Sequence, residues 1–277
     1  MHNRNIIVES LKESFLSIWK NKSLFLLLFF LQIAFLIVFS AVNYTYQARM
    51  LTSAMAITDY LGQQKLDEAS VASNILNQKS ILGDDSLSIS RNFDSIVKNF
   101  RIYLIYIFVL MAFFISTAWS ITHKLIHKNS LRNMLSNFLK TFVVLIFYLG
   151  LIFAFFFSVL NVSFAQIAVE GAKFFAKYVA FLVFSIVLLY FMFISLSLIN
   201  KEELKDIVQK TLMVGIKKAH YMLPVYSINV LIFLSAFFLF YYFIEISMIV
   251  LFLSLMLIIF SFVFARIFIV NAVERLE

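Results

Sequence analysis

One stretch decides the fold: residues 223–264 read LPVYSINVLIFLSAFFLFYYFIEISMIVLFLSLMLIIFSFVF. As a single α-helix this stretch would be roughly 60 Å long, about twice the thickness of the hydrocarbon core of a bilayer. Glu245 is its only charged residue, so we expect the chain to fold back there. The stretch therefore predicts two helices, at about 224–244 and 246–264. Pro224 would lie in the first turn of the first helix, where its missing N–H costs nothing.

Four further apolar blocks, each long enough to cross a bilayer, precede this stretch at about 24–42, 102–121, 142–162 and 179–199. The chain is 62% hydrophobic and 14% charged, whereas a soluble domain carries about 25% charged residues. The sequence therefore predicts an all-α polytopic membrane protein, in which residues 1–277 form a single six-helix transmembrane bundle. The length of the first block and its basic leader favour a retained helix over a cleaved signal peptide.

Lysine and arginine crowd into three segments, which precede the first, third and fifth spans. Their basic residues are Arg4, Lys12, Lys20, Lys22, Lys124, Lys128, Arg132, Lys140, Lys201, Lys205, Lys210, Lys217 and Lys218. Cytoplasmic loops carry such an excess, so we expect a multi-pass protein of the cell membrane with both termini in the cytoplasm. The net charge of +8 is then explained by contact with anionic lipid headgroups, and no nucleic acid is predicted as a partner.

The loop at 43–100 is the largest region between spans and is predicted to be extracytoplasmic. Phe93, Ile96, Val97 and Phe100 have the spacing of one helical face and lead into the second span. A similar pattern, beginning at Leu51, extends the first span. We therefore expect a helical hairpin or cap with a polar tip near 83–86.

Each of the three basic segments is amphipathic and leads into a pair of spans. Their starts can be overlaid at Ser10, Ser130 and Thr211, which suggests three helical-hairpin repeats. Helices of this kind bury an apolar face at the acyl boundary and hold basic side chains toward the headgroups. They either anchor the topology or form a docking surface for a cytoplasmic partner. The residues predicted to contact headgroups or a partner are Lys124, Lys128, Arg132, Lys140, Lys217 and Lys218.

The opening of the chain also carries a resemblance. Residues 10–36, SLKESFLSIWKNKSLFLLLFFLQIAFL, together with the two similar later segments, resemble poorly characterised prokaryotic six-span membrane proteins. These include the membrane domain found beside some glycerophosphodiester phosphodiesterases. The resemblance implies a six-span fold over the whole chain. The phosphodiesterase domain itself has no counterpart in this sequence, so its activity is not implied.

The sequence contains no pattern that indicates catalysis or a bound cofactor. It lacks cysteine, a phosphate-binding glycine loop and a nucleophile elbow. His123 and His127 are spaced to face the same way on a helix and could hold a metal ion. However, such a pair supplies only two ligands, and Lys124 and Lys128 would repel a cation. We therefore predict no catalytic, cofactor-binding or metal-binding residues, and a protein that is not an enzyme.

Polar side chains are scarce within the predicted spans, and no acidic or basic residue lies near the middle of any of them. Gln32 and Asn229 are the candidates for intramembrane polar contacts. They could line a polar path through the membrane. Side chains of this type more often hydrogen-bond between helices, at about 0.6 kcal/mol for each pair, and we favour this second interpretation.

Three classes of function follow from these observations. The first is a non-enzymatic integral membrane scaffold or assembly partner that docks through its basic cytoplasmic amphipathic helices. The alternative is a permease-like subunit of a transporter driven by a separate ATPase. A membrane enzyme that acts on lipid headgroups ranks third, because no acid, base or metal site is visible. The expected partners are membrane lipids with anionic headgroups and either a cytoplasmic protein or an ATPase.

Overall fold

The computed structural model describes residues 3–63, 86–127, 130–160, 171–243 and 248–277. Within these residues the chain is helical and contains no β-strand. The α-helices, in chain order, are α1 (Asn3–Lys20), α2 (Lys22–Gln63), α3 (Ser86–His127), α4 (Leu131–Leu160), α5 (Gly171–Leu198), α6 (Leu204–Leu212), α7 (Ala219–Phe243) and α8 (Met248–Leu276). A single π-helical turn, Met213–Lys217, joins α6 to α7.

Six of these helices, namely α2, α3, α4, α5, α7 and α8, are long and apolar enough to cross a membrane. The predicted class, an all-α polytopic membrane protein with six spans, is thereby confirmed. Such helices suit a chain of this composition, because an α-helix satisfies its backbone N–H and C=O groups without water. Large apolar side chains such as Phe147, Leu231 and Phe238 lie exposed on the helix surfaces, as expected for side chains that meet lipid.

Two compact units make up the structure: Met1–Ile33 with Ala112–Glu277, and Ala34–Met111. The second unit contains residues 34–63 of α2 and 86–111 of α3, and so includes 34–42 and 102–111 of the predicted spans as well as the helix that continues from each of them. These two helices are each 42 residues long, or about 63 Å. Their far ends therefore make the region 43–100 helical up to Gln63 and again from Ser86. Most of the predicted polar tip, at 83–85, lies outside the described residues.

Polar and aromatic contacts join the two helices of this second unit. Tyr103 donates a hydrogen bond to Asn43 Oδ1 at 3.1 Å, and farther out the hydroxyls of Ser53 and Ser95 lie 3.2 Å apart. The side chain of Tyr46 in α2 is buried, and its ring centroid lies 6.0 Å from that of Tyr103 in α3. Tyrosine collects where a membrane meets water, so this cluster lies where the outer interface is expected for spans ending near 42 and starting near 102.

The double-length stretch at 223–264 forms two helices that pack along each other, α7 and α8. The ring centroids of Phe233 and Phe262 lie 4.8 Å apart across this contact. Glu245, the predicted turning point, lies outside the described residues. The expectation for Pro224 is wrong: α7 begins at Ala219, so Pro224 lies in its second turn. There its ring removes the hydrogen bond that the carbonyl of His220 would otherwise accept.

The core of the first unit lies where the start of α2, the end of α3 and the middle of α8 meet. Its buried side chains are Leu28, Ala118, Ile121, Leu125, Val263 and Ile267. From this point the last turns of α8 are buried almost all round, including Phe268, Val270 and Val273. Helix α8 also packs against α1, α5 and α7. The C-terminal half of α8 is therefore the central element of this unit.

Gly215 lies in the π-helical turn, where α5 approaches the backbone closely. Tyr190 of α5 donates a hydrogen bond to the Gly215 carbonyl at 2.7 Å. A Cβ atom at Gly215 would lie 2.6 Å from the ring of Phe191 and 3.3 Å from Ile194 Cδ1. A side chain at this position would therefore force the ring of Phe191 or the helix that carries it to shift.

We predict that Gly215→Ala lowers the free energy of unfolding by about 1–3 kcal/mol, the usual cost of overpacking. Thermal unfolding of the purified protein in detergent measures the effect. Gly150→Ala is the matched control, since a Cβ atom there meets nothing within 4 Å and alanine favours the helix. Equal unfolding temperatures for the two variants would contradict the close packing at Gly215.

Candidate functional site

The last two turns of α3 carry His123 and His127 on the same side of the helix. Their rings are nearly parallel, with centroids 6.3 Å apart and an interplanar angle of 16°. This is the arrangement that their spacing predicts, since residues four apart are neighbours on a helix surface. The helix thus presents two imidazoles to the same side of the bundle.

His123 is fully buried at the interface between α3 and α5. Its Nε2 lies 2.8 Å from the carbonyl oxygen of Leu196. A carbonyl oxygen can only accept, so Nε2 carries the proton and Nδ1 has a free lone pair. This Nδ1 is buried and has no hydrogen-bond partner in the part of the chain that the structure describes. A buried polar atom without a partner costs roughly 1–3 kcal/mol.

His127 meets an acidic residue of α8, Glu274. Nε2 of His127 lies 2.6 Å from Glu274 Oε1, and the two side chains are 22% and 13% exposed. The second carboxylate oxygen lies 3.8 Å from Nζ of Lys201. One ligand atom from each of His123, His127 and Glu274 can be chosen so that all three lie within 4.8 Å of one another.

Sequence reasoning missed Glu274 as a member of this cluster. It lies 147 residues from His127 along the chain, and no local pattern links the two. The histidine pair supplies two ligands, and the fold places Glu274 beside it as a third possible one. The absence of a metal-binding site stays a prediction. Of the two lysines expected to repel a cation, Lys124 is half-buried and has no ion pair within the described residues, and Lys128 lies outside them.

Ion pairs surround this cluster and join the ends of several helices. Lys210 of α6 bonds to both Glu202 and Glu277, the latter at 2.6 Å. These bonds, with Glu202 the larger cause, raise the pKa of Lys210 to about 12, so it stays charged at any physiological pH. Arg275 of α8 pairs in the same way with Glu9 and Glu13 of α1, and its Nε lies 3.1 Å from Glu13 Oε2.

The six residues predicted to contact headgroups or a partner fall into different environments. Lys140 donates hydrogen bonds to the carbonyls of Ile199 and Glu202, the former at 3.5 Å and the latter at 2.9 Å, and so caps the end of α5. Lys218 donates to the carbonyl of Leu276. Arg132 and Lys217 are exposed and form no ion pair with any described residue. Headgroup or partner contact stays a prediction for all six.

The amphipathic segments share one arrangement of faces. Each buries small polar side chains: Ser10 and Ser14 in α1, Asn137 and Thr141 in α4, and Thr211 in α6. Some of them bond to other parts of the bundle: Asn271 of α8 donates to Ser14 at 2.9 Å, and Asn137 donates to Asn200, just after α5, at 2.8 Å. Around the helix axis, at 3.6 residues per turn, the buried face is followed by an apolar face and then by a polar face. The rotational direction of this order is the same in all three segments.

The three residues at which the segments were overlaid differ in burial. Ser10 and Thr211 are buried, whereas Ser130 is exposed. In that segment the buried hydroxyl is that of Thr141, three helical turns later. The threefold repeat itself stays a prediction.

Arg266 follows the predicted sixth span at 246–264, and the prediction that no charge lies near the middle of a span stays a prediction. Helix α8 runs ten residues past Arg266, which therefore lies well inside it rather than at its end. Arg266 Nη2 lies 3.5 Å from Gln32 Oε1. Gln32 lies near the middle of the predicted first span at 24–42, so the guanidinium of Arg266 reaches the level of that residue.

The two intramembrane amides differ in their surroundings. Gln32 accepts the contact from Arg266 between two helices, as its predicted role requires. Asn229 of α7 is buried, but neither atom of its amide has a hydrogen-bond partner within the described residues. The structure thus provides the interhelical contact for Gln32 and none for Asn229.

Comparison with known protein families, curated proteins and solved structures finds no match for this chain. The argument for function therefore rests on the residues and their geometry.

Proposed function

We propose that this chain is a non-enzymatic scaffold or assembly partner of the cell membrane that docks a cytoplasmic protein at its basic end. The observation that carries the proposal is the division of faces on α4 and α6. Each helix begins at this end of the bundle with one face buried in protein, one apolar face and one polar face. The last two faces are exposed.

The topology supports this placement. Six spans bring the start and the end of the chain to the same side, where Asn271 and Arg275 of α8 contact α1. The basic segments lie at this same end, and the basic end of a bundle faces the cytoplasm. Attraction to an anionic leaflet contributes about 1 kcal/mol for each Lys or Arg near the surface.

The topology predicts where single cysteines are labelled, and the Cys-free chain needs no prior substitution. In intact cells, a membrane-impermeant maleimide should label Asp94→Cys and leave Lys12→Cys and Lys205→Cys unlabelled until the cells are opened. All three positions are exposed, so protection cannot arise from burial. Labelling of Lys12→Cys from outside would reverse the orientation.

The docking surface consists of the polar faces of the first turns of α4 and of α6. In α4, Arg132, Asn133 and Ser136 are exposed beside an apolar stripe of Leu131, Leu135 and Leu139. Leu131 is 71% exposed and fits the acyl boundary. The polar face then points away from both the lipid and the bundle. In α6, Lys205 and Gln209 stand beside Val208 in the same order.

We expect a photo-reactive amino acid at Ser136 or Gln209 to cross-link to protein in native membranes. The same group at Phe147, which is exposed on α4 within the third span, is the control and should capture lipid. Arg132→Glu should reduce the yield of the protein adduct at Ser136 at least about fivefold. Reversing a charge that attracts the partner weakens the free energy of binding by about 1 kcal/mol or more. Adducts to lipid alone at both test positions would leave only the anchoring role.

Arg266 favours a second candidate function, the permease-like subunit of a transporter driven by a separate ATPase. A charge inside a span is costly and commonly marks a substrate or ion pathway. Arg266 touches Gln32, and no acidic side chain pairs with it within the described residues. An anionic substrate would suit such a site.

The transport alternative predicts that an ATPase is retained when the protein is purified in mild detergent, and that ATP hydrolysis depends on Arg266. Arg266→Gln should then lower the hydrolysis rate at least about tenfold with the ATPase still bound. Thr117→Ala, a half-buried position on α3 whose hydroxyl bonds within its own helix, is the control. If no ATPase is retained, the scaffold is the better account.

A further inference from the structure

Two helices that are remote in sequence place three metal-binding side chains together at the basic end of the bundle. His123 and His127 come from α3, and Glu274 comes from α8. From this geometry we propose that the three residues bind one divalent transition-metal ion of the zinc class. The inference is independent of the scaffold function proposed above.

His123 supplies the strongest argument. Its Nε2–H is committed to the carbonyl of Leu196, which fixes the ring and directs the Nδ1 lone pair away from that bond. A metal-binding histidine almost always donates its other ring N–H to a carboxylate or a backbone carbonyl in this way. The buried Nδ1 has no partner within the described residues, and a metal ion would provide one.

The distances allow a common ion after a small adjustment. Zinc binds histidine nitrogen and carboxylate oxygen at about 2.0–2.2 Å, which places tetrahedral ligand atoms about 3.3 Å apart. The three chosen atoms lie within 4.8 Å of one another, and His127 and Glu274 approach to 2.6 Å. The widest separation must shrink by about 1.5 Å and the closest must open by less than 1 Å. The side chains of His127 and Glu274 are partly exposed, which leaves them room to rotate toward this geometry.

The ligand types select the metal. Two imidazoles and one carboxylate suit zinc and its neighbours in the first transition row, whereas calcium and magnesium require oxygen ligands. Three protein ligands leave the fourth position for water, as in open zinc sites. The carboxylate also lowers the net charge of the occupied site to +1, which reduces repulsion by Lys201.

Lys201 competes for Glu274 but does not close the site. Its Nζ lies 3.8 Å from Oε2 and its side chain is 40% exposed, so the interaction is weak and screened by solvent. Oε1, on the side of His127, remains available to a metal ion. Without metal, the same residues form a hydrogen-bonded His–Glu pair, and the test must separate these two states.

Titration of the full-length protein in detergent with Co²⁺ provides the test, because Co²⁺ replaces zinc and gives visible absorption bands. The affinity tag must not contain histidine. We expect one equivalent of Co²⁺ per chain, displaced by Zn²⁺, with absorption that reflects nitrogen and oxygen ligands. Glu274→Gln, which keeps the shape of the side chain, and His127→Ala should each weaken binding at least about tenfold.

His220→Ala is the matched control, because His220 is an exposed histidine near the same end of the bundle and lies outside the cluster. It should bind Co²⁺ like the unmodified chain, and so should His2→Ala. If His127→Ala fails to fold, Glu274→Gln alone decides the outcome. The proposal is overturned if the unmodified chain does not take up one equivalent, or if Glu274→Gln binds with unchanged affinity.

Discussion

The structure depends on one constraint: within lipid, the chain must satisfy its own backbone hydrogen bonds. With five glycines and one proline in the whole sequence, few positions interrupt a helix. The helices can therefore be longer than the hydrocarbon core requires. Helices α2 and α3, for example, are each 42 residues long in total. Some hydroxyls are satisfied in the same way: Ser116 and Thr122 each donate to a carbonyl four residues earlier in their own helix.

Lipid gives no hydrophobic drive between helices, so packing and polar contacts must hold this bundle together. Aromatic pairs supply part of the packing, such as Phe25 with Phe260 and Phe155 with Phe181. The polar contacts collect at the basic end, around the last turns of α8. There Asn271 and Arg275 bond to α1, and Glu274 bonds to His127 of α3 and pairs with Lys201. One helix end thereby connects α1, α3 and the segment that follows α5.

This concentration of polar groups explains why the basic residues do not act alike. Lys140, Lys210 and Lys218 bond to carbonyls or carboxylates of the protein and stabilise the helix ends. Arg132 and Lys217 point outward and remain available to lipid or to a partner. Basic residues that count equally toward the predicted orientation therefore differ in role: some stabilise helix ends and others face outward. The three-dimensional neighbours of each side chain decide which one.

The sequence by itself determined the class of protein, the six spans and the pairing of His123 with His127, because these follow from local hydropathy and helical spacing. It also placed Gln32 among the polar contacts. Only the tertiary structure decided that Glu274 joins the histidines, that Arg266 lies inside the last helix and that Pro224 lies in the second turn of α7. Hydropathy locates an apolar block in the sequence. It does not locate the helix ends, because these depend on the tertiary contacts of the terminal turns. Contacts between α3 and α8 join residues about 150 positions apart, and no local pattern encodes them.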